Sequence, residues 1–160
     1  MSTTDAVAAS DAQLSQGWHT LYTLHGRIEA RLDHELQSKH GLSLREYCLL
    51  STLRPQHSGE GGHLRMAQVA EAVVLSQSAT TRLVTRLEDR GLLTRYLCAT
   101  DRRGIYTDVT PAGLALLAEA EPTHFAVLRE AMTDAAAQPE LEPLVRAVAG
   151  LHAEPAASRS

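Results

Sequence analysis

Six arginines lie within one short stretch of a chain that is acidic overall. The chain has 160 residues and a formal net charge of -4 at pH 7. The stretch from residue 76 to residue 104 contains Arg82, Arg86, Arg90, Arg95, Arg102 and Arg103. Six arginines against three acids give it a net charge of +3, whereas three arginines against seven acids give residues 110–160 a net charge of -4. Guanidinium groups form paired hydrogen bonds with phosphates and guanine edges, so the cluster indicates a polyanion-binding surface or a solvated helix face with paired charges.

The arginines alternate with apolar residues at helical spacing between Ser76 and Gly91. The side predicted to pack consists of Ala79, Leu83, Val84 and Leu87. The opposite side consists of Ser78, Thr81, Arg82, Thr85 and Asp89, with Gln77 and Arg86 at its edges. Ser76 is a typical N-cap and Gly91 is a typical C-terminal stop. Short polar side chains beside arginines can bond to phosphates and to base edges, so this face is the candidate binding surface.

The neighbouring segments place this helix second in a helix-turn-helix and ahead of a hairpin. Residues 66–74 predict a short helix, and residues 63–65 predict a very short strand before it, long enough for a single β-ladder. Residues 92–98 and 104–110 are β-prone runs joined by the turn-forming, charged sequence ATDRRG. This order is that of a winged helix-turn-helix, in which one helix enters the major groove of B-DNA and the wing can reach the minor groove.

Longer helices flank these elements. Residues 11–39 have apolar residues at steps of three and four, and we expect that helix to end near Gly41. Ser43 and Glu46 form a capping box that opens a second helix, which we expect to run to Pro55.

Two more helices are predicted after the hairpin. The first begins at Thr110 and Pro111, with proline at the first helical position. Its predicted apolar side consists of Leu114, Leu117, Ala118 and Phe125. The second is predicted to run from residue 139 to residue 152.

Residues 42–113 resemble the MarR family of multiple-antibiotic-resistance regulators. The resemblance rests on LRMAQVAEAVVLSQSATTRLVTRLEDRGLLTR as the helix-turn-helix and on DRRGIYTDVTPAG as the wing and helix entry. The second segment matches the family pattern D-x-R-x(5)-[LI]-T-x-x-G, except that Val109 occupies the leucine position.

The resemblance implies a mainly α fold with a small β-hairpin wing, a winged helix-turn-helix with long N- and C-terminal dimerisation helices. It implies one domain over residues 1–160, with the dimerisation region at 11–40 and 110–152 and the DNA-binding lobe at 42–109. It also implies that Asp101 orients Arg103 into the minor groove, with Arg102 in the same wing, while the face from Gln77 to Arg86 enters the major groove.

The function implied is that of a cytoplasmic repressor that binds double-stranded DNA as a homodimer on a pseudo-palindromic operator. Family members commonly respond to a small molecule, which predicts release by an aromatic or anionic effector. The candidate residues, which combine aromatic rings with a cation, are Trp18, His19, Tyr22, Arg27 and Tyr47. Alternatives are a thiol-based or zinc-responsive regulator of the same fold, and a helical protein-interaction module that binds no DNA.

Other chemistry has little support in the sequence. Cys48 and Cys98 are fifty residues apart without a CxxC motif, and we expect Cys48 to be a small buried hydrophobe. The histidines include no H-x(3)-H pair, so no metal site or cofactor is predicted. The absence of GxSxG, HExxH, P-loop and GxGxxG motifs argues against an enzyme. No apolar run approaches the roughly 18 residues of a membrane span.

Overall fold

The computed structural model describes residues 9–57, 63–97 and 104–151. Within these residues the helices are α1 (Asp11–His40), α2 (Leu44–His57), α3 (Met66–Ala72), α4 (Gln77–Asp89), α5 (Pro111–Ala136) and α6 (Glu142–Gly150). The strands are β1 (Leu93–Leu97) and β2 (Ile105–Val109), which pair antiparallel. The predicted class, mainly helical with one β-hairpin after a helix-turn-helix, is confirmed.

The chain divides into two compact units, and the divisions fall inside the two longest helices. One unit contains the residues up to Arg31 together with those from Ala126 onward. The other is Leu32–Phe125 and contains the helix-turn-helix and the hairpin.

The core of the unit Leu32–Phe125 is built by α2, α4 and the two strands, with support from α1, α3 and α5. The fully buried large side chains are Leu36, Leu42, Leu49, Leu50, Leu53, Val69, Thr80, Val84, Leu87, Leu93, Val109 and Leu117. Burying one aliphatic side chain stabilises a fold by about 1.5–3 kcal/mol, so this cluster supplies the main driving force for folding the lobe.

Short-range caps set the junction between α1 and α2. Gly41 has a φ of 62°, and its N–H donates to the carbonyl of Gln37 at 3.0 Å, which ends α1. The backbone N–H of Ser43 donates to Glu46 Oε2 at 2.8 Å, and the N–H of Glu46 donates to Ser43 Oγ at 3.2 Å. The predicted capping box is therefore confirmed.

The hairpin is joined to α5 through Thr110. Strands β1 and β2 pair from Leu93 opposite Val109 to Leu97 opposite Ile105. The Thr110 hydroxyl donates to the carbonyl of Gly91 at 2.6 Å and accepts from the N–H of Gly113 at 3.1 Å. Thr110 thus caps α5 and ties it to the end of α4.

The other unit contains a smaller apolar cluster between α1, α5 and α6. Its buried members are Leu24, Ala135 and Leu141, and Ile28, Leu144 and Val145 pack against them. Arg31 donates to Glu130 Oε2 at 2.8 Å and to Asp134 Oδ2 at 2.9 Å, which links α1 to α5 inside this unit.

Several helix ends differ from the prediction. Helix α2 continues through Pro55 to His57, because a proline in the last turn removes only one helical hydrogen bond. The buried side chain of Gln56 also accepts from the N–H of Leu64 at 3.0 Å, which anchors that turn. Helix α6 begins at Glu142 instead of Pro139, with its proline in the first turn.

Two burial predictions were wrong. Ala118 and Phe125 are exposed whereas Ala120 is buried, because the buried stripe of α5 runs through Gly113, Leu117 and Ala120. Cys48 is exposed, not buried. Its neighbours in sequence, Tyr47 and Leu49, are buried, but the helical period places Cys48 on the side opposite the α2 core face.

None of the described helices combines the length and the apolarity that a bilayer span requires.

Candidate nucleic-acid interface

Helix α4 has one buried face and one exposed polar face. Thr80, Leu83, Val84 and Leu87 are buried. The Ser76 side chain accepts from the N–H of Ala79 at 3.2 Å, which confirms the predicted N-cap. Thr80 is also buried, which the helical spacing of apolar residues did not predict. Its hydroxyl donates to the carbonyl of Ser76 at 2.9 Å, so the buried polar group keeps a hydrogen bond.

The opposite face presents most of the predicted binding residues to solvent. Those that are exposed are Gln77, Ser78, Thr81, Arg82 and Arg86, and Thr85 is half-buried. The hydroxyl of Thr81 donates to the carbonyl of Gln77 at 2.9 Å, and that of Thr85 donates to the carbonyl of Thr81 at 2.9 Å. With its proton engaged in the helix, the exposed Thr81 hydroxyl offers an acceptor oxygen and a methyl group to a ligand.

The C-terminal end of α4 is held by the buried carboxylate of Glu46. The Glu46 side chain is 5% exposed and lies 3.2 Å from Arg90 Nη1 and 3.7 Å from Arg86 Nε. Arg90 Nη2 also donates to the carbonyl of Gly41 at 2.9 Å. Arg90 therefore fixes α4 against α2, and Arg86 lies at the edge of the exposed face.

A second ion pair joins α4 to the hairpin. Glu88 Oε2 accepts from Arg95 Nε at 3.0 Å, Glu88 Oε1 accepts from Nη2 at 3.2 Å, and Glu88 Oε2 also accepts from the Arg95 backbone N–H at 3.1 Å. Thr85 Oγ1 accepts from Arg95 Nη2 at 3.3 Å. The hydrogen bond from Arg95 holds the pKa of the Glu88 carboxyl below its usual value. This network sets the orientation of the wing relative to α4.

The base of the hairpin is held by residues that precede α3. Arg65 forms a β-bridge with Tyr106, which confirms the predicted ladder, and Arg65 Nε donates to the Tyr106 hydroxyl at 3.2 Å. Gln56 Nε2 donates to the carbonyl of Thr107. Tyr96 Oη and His63 Nδ1 form a hydrogen bond of 2.6 Å. Both strands are thus fixed to the rest of the lobe.

A groove of about 390 Å³ separates α4 from the hairpin. Its lining residues are Arg65, Met66, Ala67, Gln77, Thr81, Arg95, Gly104 and Ile105. A second depression along α4, of about 590 Å³, includes Arg45 from α2. Arg65 and Arg45 lie outside the periodic face of α4 and become its neighbours only through tertiary packing, so the helical spacing did not predict them.

The predicted wing-tip residues Asp101, Arg102 and Arg103 lie outside the described residues, as does Cys98.

Comparison with known proteins relates this architecture to a family. The model of the MarR family matches residues 40–104. The HTH-type transcriptional regulator MhqR of Bacillus subtilis (strain 168) is 33% identical to the chain over 92 residues. Over residues 40–104 this chain is similar to the MarR family. The match with MhqR covers 58% of this chain and 60% of MhqR, so the chain spans less than two thirds of that relative's length.

Two solved MarR-family structures from Streptomyces coelicolor share the fold over most of the chain. AbsC, a MarR family transcriptional regulator, is 29% identical with a TM-score of 0.69. Sco3205, another MarR family transcriptional regulator, was solved in complex with DNA and is 28% identical with a TM-score of 0.67. In each case the match covers 88% of this chain and 91% of the other.

The candidate effector residues fall in both units. Trp18 and Tyr22 are exposed on α1 with ring centroids 6.2 Å apart, and His19 and Arg27 are exposed on the same helix. Tyr47 is buried in the unit Leu32–Phe125, where its ring stacks on His124 with centroids 4.4 Å apart.

A small cavity lies inside the first unit, between α1 and the residues from Ala131 to Leu141. It has a volume of about 160 Å³ and is lined by Leu24, Arg27, Ile28, Arg31, Ala131, Asp134, Ala135, Gln138 and Leu141. Among the residues that the structure describes, no group of three or more His, Cys, Asp or Glu side chains is placed to hold a metal ion.

Proposed function

We propose that this chain is a sequence-specific DNA-binding transcriptional regulator of the MarR family that acts as a homodimeric repressor on a pseudo-palindromic operator. The observation that carries the proposal is the exposed face of α4, where Gln77, Thr81 and Arg82 stand opposite a fully buried face. A helix presented in this way fits the major groove of B-DNA, and the adjoining hairpin is placed to follow the neighbouring groove. The names of MhqR and AbsC, and the DNA complex of Sco3205, support the same reading.

The distribution of charge supports specific over purely electrostatic binding. The chain has a net charge of -4, so the basic residues around α4 must act locally against a repulsive background. A protein of this kind depends on correct placement of a few contacts, and the Glu46 and Glu88 ion pairs provide that placement for α4 and the wing.

The homodimer is supported by exposed apolar side chains in the first unit. On α1 these are Leu14, Trp18, Leu21 and Tyr22, and at the end of α6 they are Val148 and Leu151. The four α1 residues recur at steps of one to four and form a stripe along the helix, which a second copy of the chain would cover. Two-fold symmetry then places two α4 helices about one helical turn of DNA apart.

The test is a DNA-binding measurement on the chain's own upstream region. Fluorescence anisotropy with that duplex and with a scrambled duplex of equal length, at one fixed salt concentration, should show tighter binding to the upstream sequence. Light scattering on the same sample should report a dimer. A monomer at micromolar concentration that retards neither duplex would contradict the proposal and favour a helical protein-interaction module.

For control of DNA binding, we propose a small aromatic or anionic effector that relieves repression. The exposed rings of Trp18 and Tyr22 and the cation of Arg27, which lines the 160 Å³ cavity, support this class of ligand. His19 is exposed on the same helix. An effector acts by binding the DNA-incompetent arrangement more tightly than the competent one.

The effector proposal is tested by repeating the binding assay with a panel of aromatic acids. Release by one of these acids that Arg27→Ala abolishes would support it. Release by peroxide that dithiothreitol reverses and Cys48→Ser abolishes would favour the thiol alternative, and Cys48 is exposed on α2. Release by zinc that a chelator reverses would favour the metal-responsive alternative.

A further inference from the structure

The groove between α4 and the hairpin is lined by two arginines. Arg65 precedes α3 and Arg95 lies on β1, while Gln77 and Thr81 of α4 contribute polar side chains. Arg65 is exposed, and the Arg95 side chain is 30% exposed. The groove therefore combines two positive charges with hydrogen-bonding groups at a place that helical periodicity does not predict.

Arg95 is held in one orientation. Its Nε and Nη2 atoms donate to Glu88, and Nη2 also donates to Thr85, whereas Nη1 takes part in none of these bonds. A guanidinium fixed in this way loses little conformational entropy when it binds a further acceptor. Arg65 is directed similarly, because its Nε donates to the Tyr106 hydroxyl.

The geometry of B-DNA identifies what lies in such a groove. The major and minor grooves are separated by a sugar–phosphate backbone, so a protein that places α4 in one and the wing in the next must hold one backbone strand between them. We infer that the groove between α4 and the hairpin binds that DNA backbone, with Arg65 and Arg95, which both line it, contacting its phosphates. This inference rests on the proposed DNA-binding function and adds two binding residues to it.

Phosphate contacts have a signature that base contacts lack. Each phosphate neutralised by a protein cation contributes about 0.9 to the slope of log K against log salt. In a homodimer, Arg65→Gln should therefore reduce the magnitude of that slope by about 1.8. Because phosphates carry no sequence information, the variant should lose affinity by the same factor on the upstream duplex and on the scrambled duplex.

The experiment compares wild type, Arg65→Gln, Arg95→Gln and Arg54→Gln on both duplexes over a series of salt concentrations. Arg54 is paired with Glu121 on α5 and outside the groove, so its variant controls for the change in net charge. We expect a reduced slope and an unchanged ratio of affinities for the two groove variants, and a wild-type slope for Arg54→Gln. Arg65→Lys, which keeps the charge, should keep most of the slope.

The outcomes separate this inference from the proposed function. If the wild type binds neither duplex, the proposed function itself fails. If the wild type binds but Arg65→Gln keeps the wild-type slope, or alters the ratio of affinities between the duplexes, the phosphate assignment is overturned while the function stands. Arg95→Gln removes the partner of Glu88, and this loss can disturb folding. Arg65→Gln leaves the Glu88 pair intact, so its slope alone is then the test of the phosphate assignment.

Discussion

Gly113 lies directly against the carbonyl group of Leu92. A Cβ atom on Gly113 would be 2.2 Å from the Leu92 oxygen and 2.7 Å from Val109 Cγ1. The same oxygen accepts the N–H of Thr110 at 3.1 Å, so it cannot move away without loss of a hydrogen bond. The glycine of the T-x-x-G pattern is thus required by close approach of the backbone of α5 to the start of the hairpin.

We expect Gly113→Ala to lower the free energy of unfolding by about 1–3 kcal/mol, because it forces α5 away from the hairpin. Urea denaturation followed by circular dichroism would measure the change. Gly26→Ala is a matched control, since a Cβ there meets nothing within 4 Å and alanine is favoured in a helix interior. Equal stability of the two variants would show that the Leu92 contact relaxes at no cost.

Val74, in the turn between α3 and α4, has a φ of 55° and is 86% exposed. A β-branched residue in this region is strained, and the conformation is the one that glycine adopts at helix ends. We expect Val74→Gly to stabilise the protein by about 0.5–1 kcal/mol, the relief of strain exceeding the extra entropy of the unfolded chain. The measurement is the shift in thermal midpoint, about 2–4 °C for each kcal/mol in a chain of this size.

The control for this substitution is its neighbour Val73, which has a φ of -93° and is partly buried against the core. Val73→Gly should lower the thermal midpoint. A drop for both variants would show that Val74 is not strained.

His124 predicts a dependence of stability on pH. Burial lowers the pKa of His124, and its Nδ1 atom is buried without a hydrogen-bond partner among the described residues. The unfolded chain, with a histidine pKa of about 6.5, then binds the proton more readily than the folded chain. The contribution to stability is therefore present above about pH 6.5 and is lost as the pH falls through the lower folded value.

Denaturation of wild type and His124→Phe at several pH values between about 7.5 and 5, the range in which histidine titrates, would measure the contribution of His124 to the free energy of unfolding. The wild type should lose more stability on acidification than the variant does. Parallel curves for the two proteins would assign the pH dependence to other groups.

Arg82 and Arg103 are predicted to have different tasks in DNA binding. Arg82→Ala should lower operator affinity by about 1–3 kcal/mol and relax the preference at one base pair in each half-site, as expected of a bidentate contact to a base. Arg103→Ala should weaken binding more evenly across sequences. Affinity for a set of single-base operator variants at one salt concentration would measure both effects. Retention of wild-type affinity by both variants would contradict the assignment.

Local sequence was sufficient for the order of the elements and for much of α4. Caps at Ser43 and Ser76 and stops at Gly41 and Gly91 act over a few residues, so their effects could be predicted without tertiary information. The same holds for the division of α4 into two faces, since the helical period alone places Leu83 and Arg82 on different sides.

Tertiary packing decided what the charged residues contact. Arg90 pairs with Glu46, which lies 44 residues away in sequence. Only the packing of α2 against α4 brings these two side chains together. Arg95 is close in sequence to Glu88, but the turn at Gly91 had to fold β1 back along α4 before they could pair. Long-range contacts of this kind depend on the complete core, so no local pattern reports them.

The sequence by itself determined that this chain folds as a helix-turn-helix followed by a hairpin, because helical period, caps and turn residues are local properties. Only the tertiary structure decided that Arg65 and Arg95 line the same groove, that Cys48 is exposed, and that Gly113 must lack a side chain. Each of these depends on how distant segments approach one another, and that approach is set by the packing of the shared core of Leu50, Val84 and Leu117.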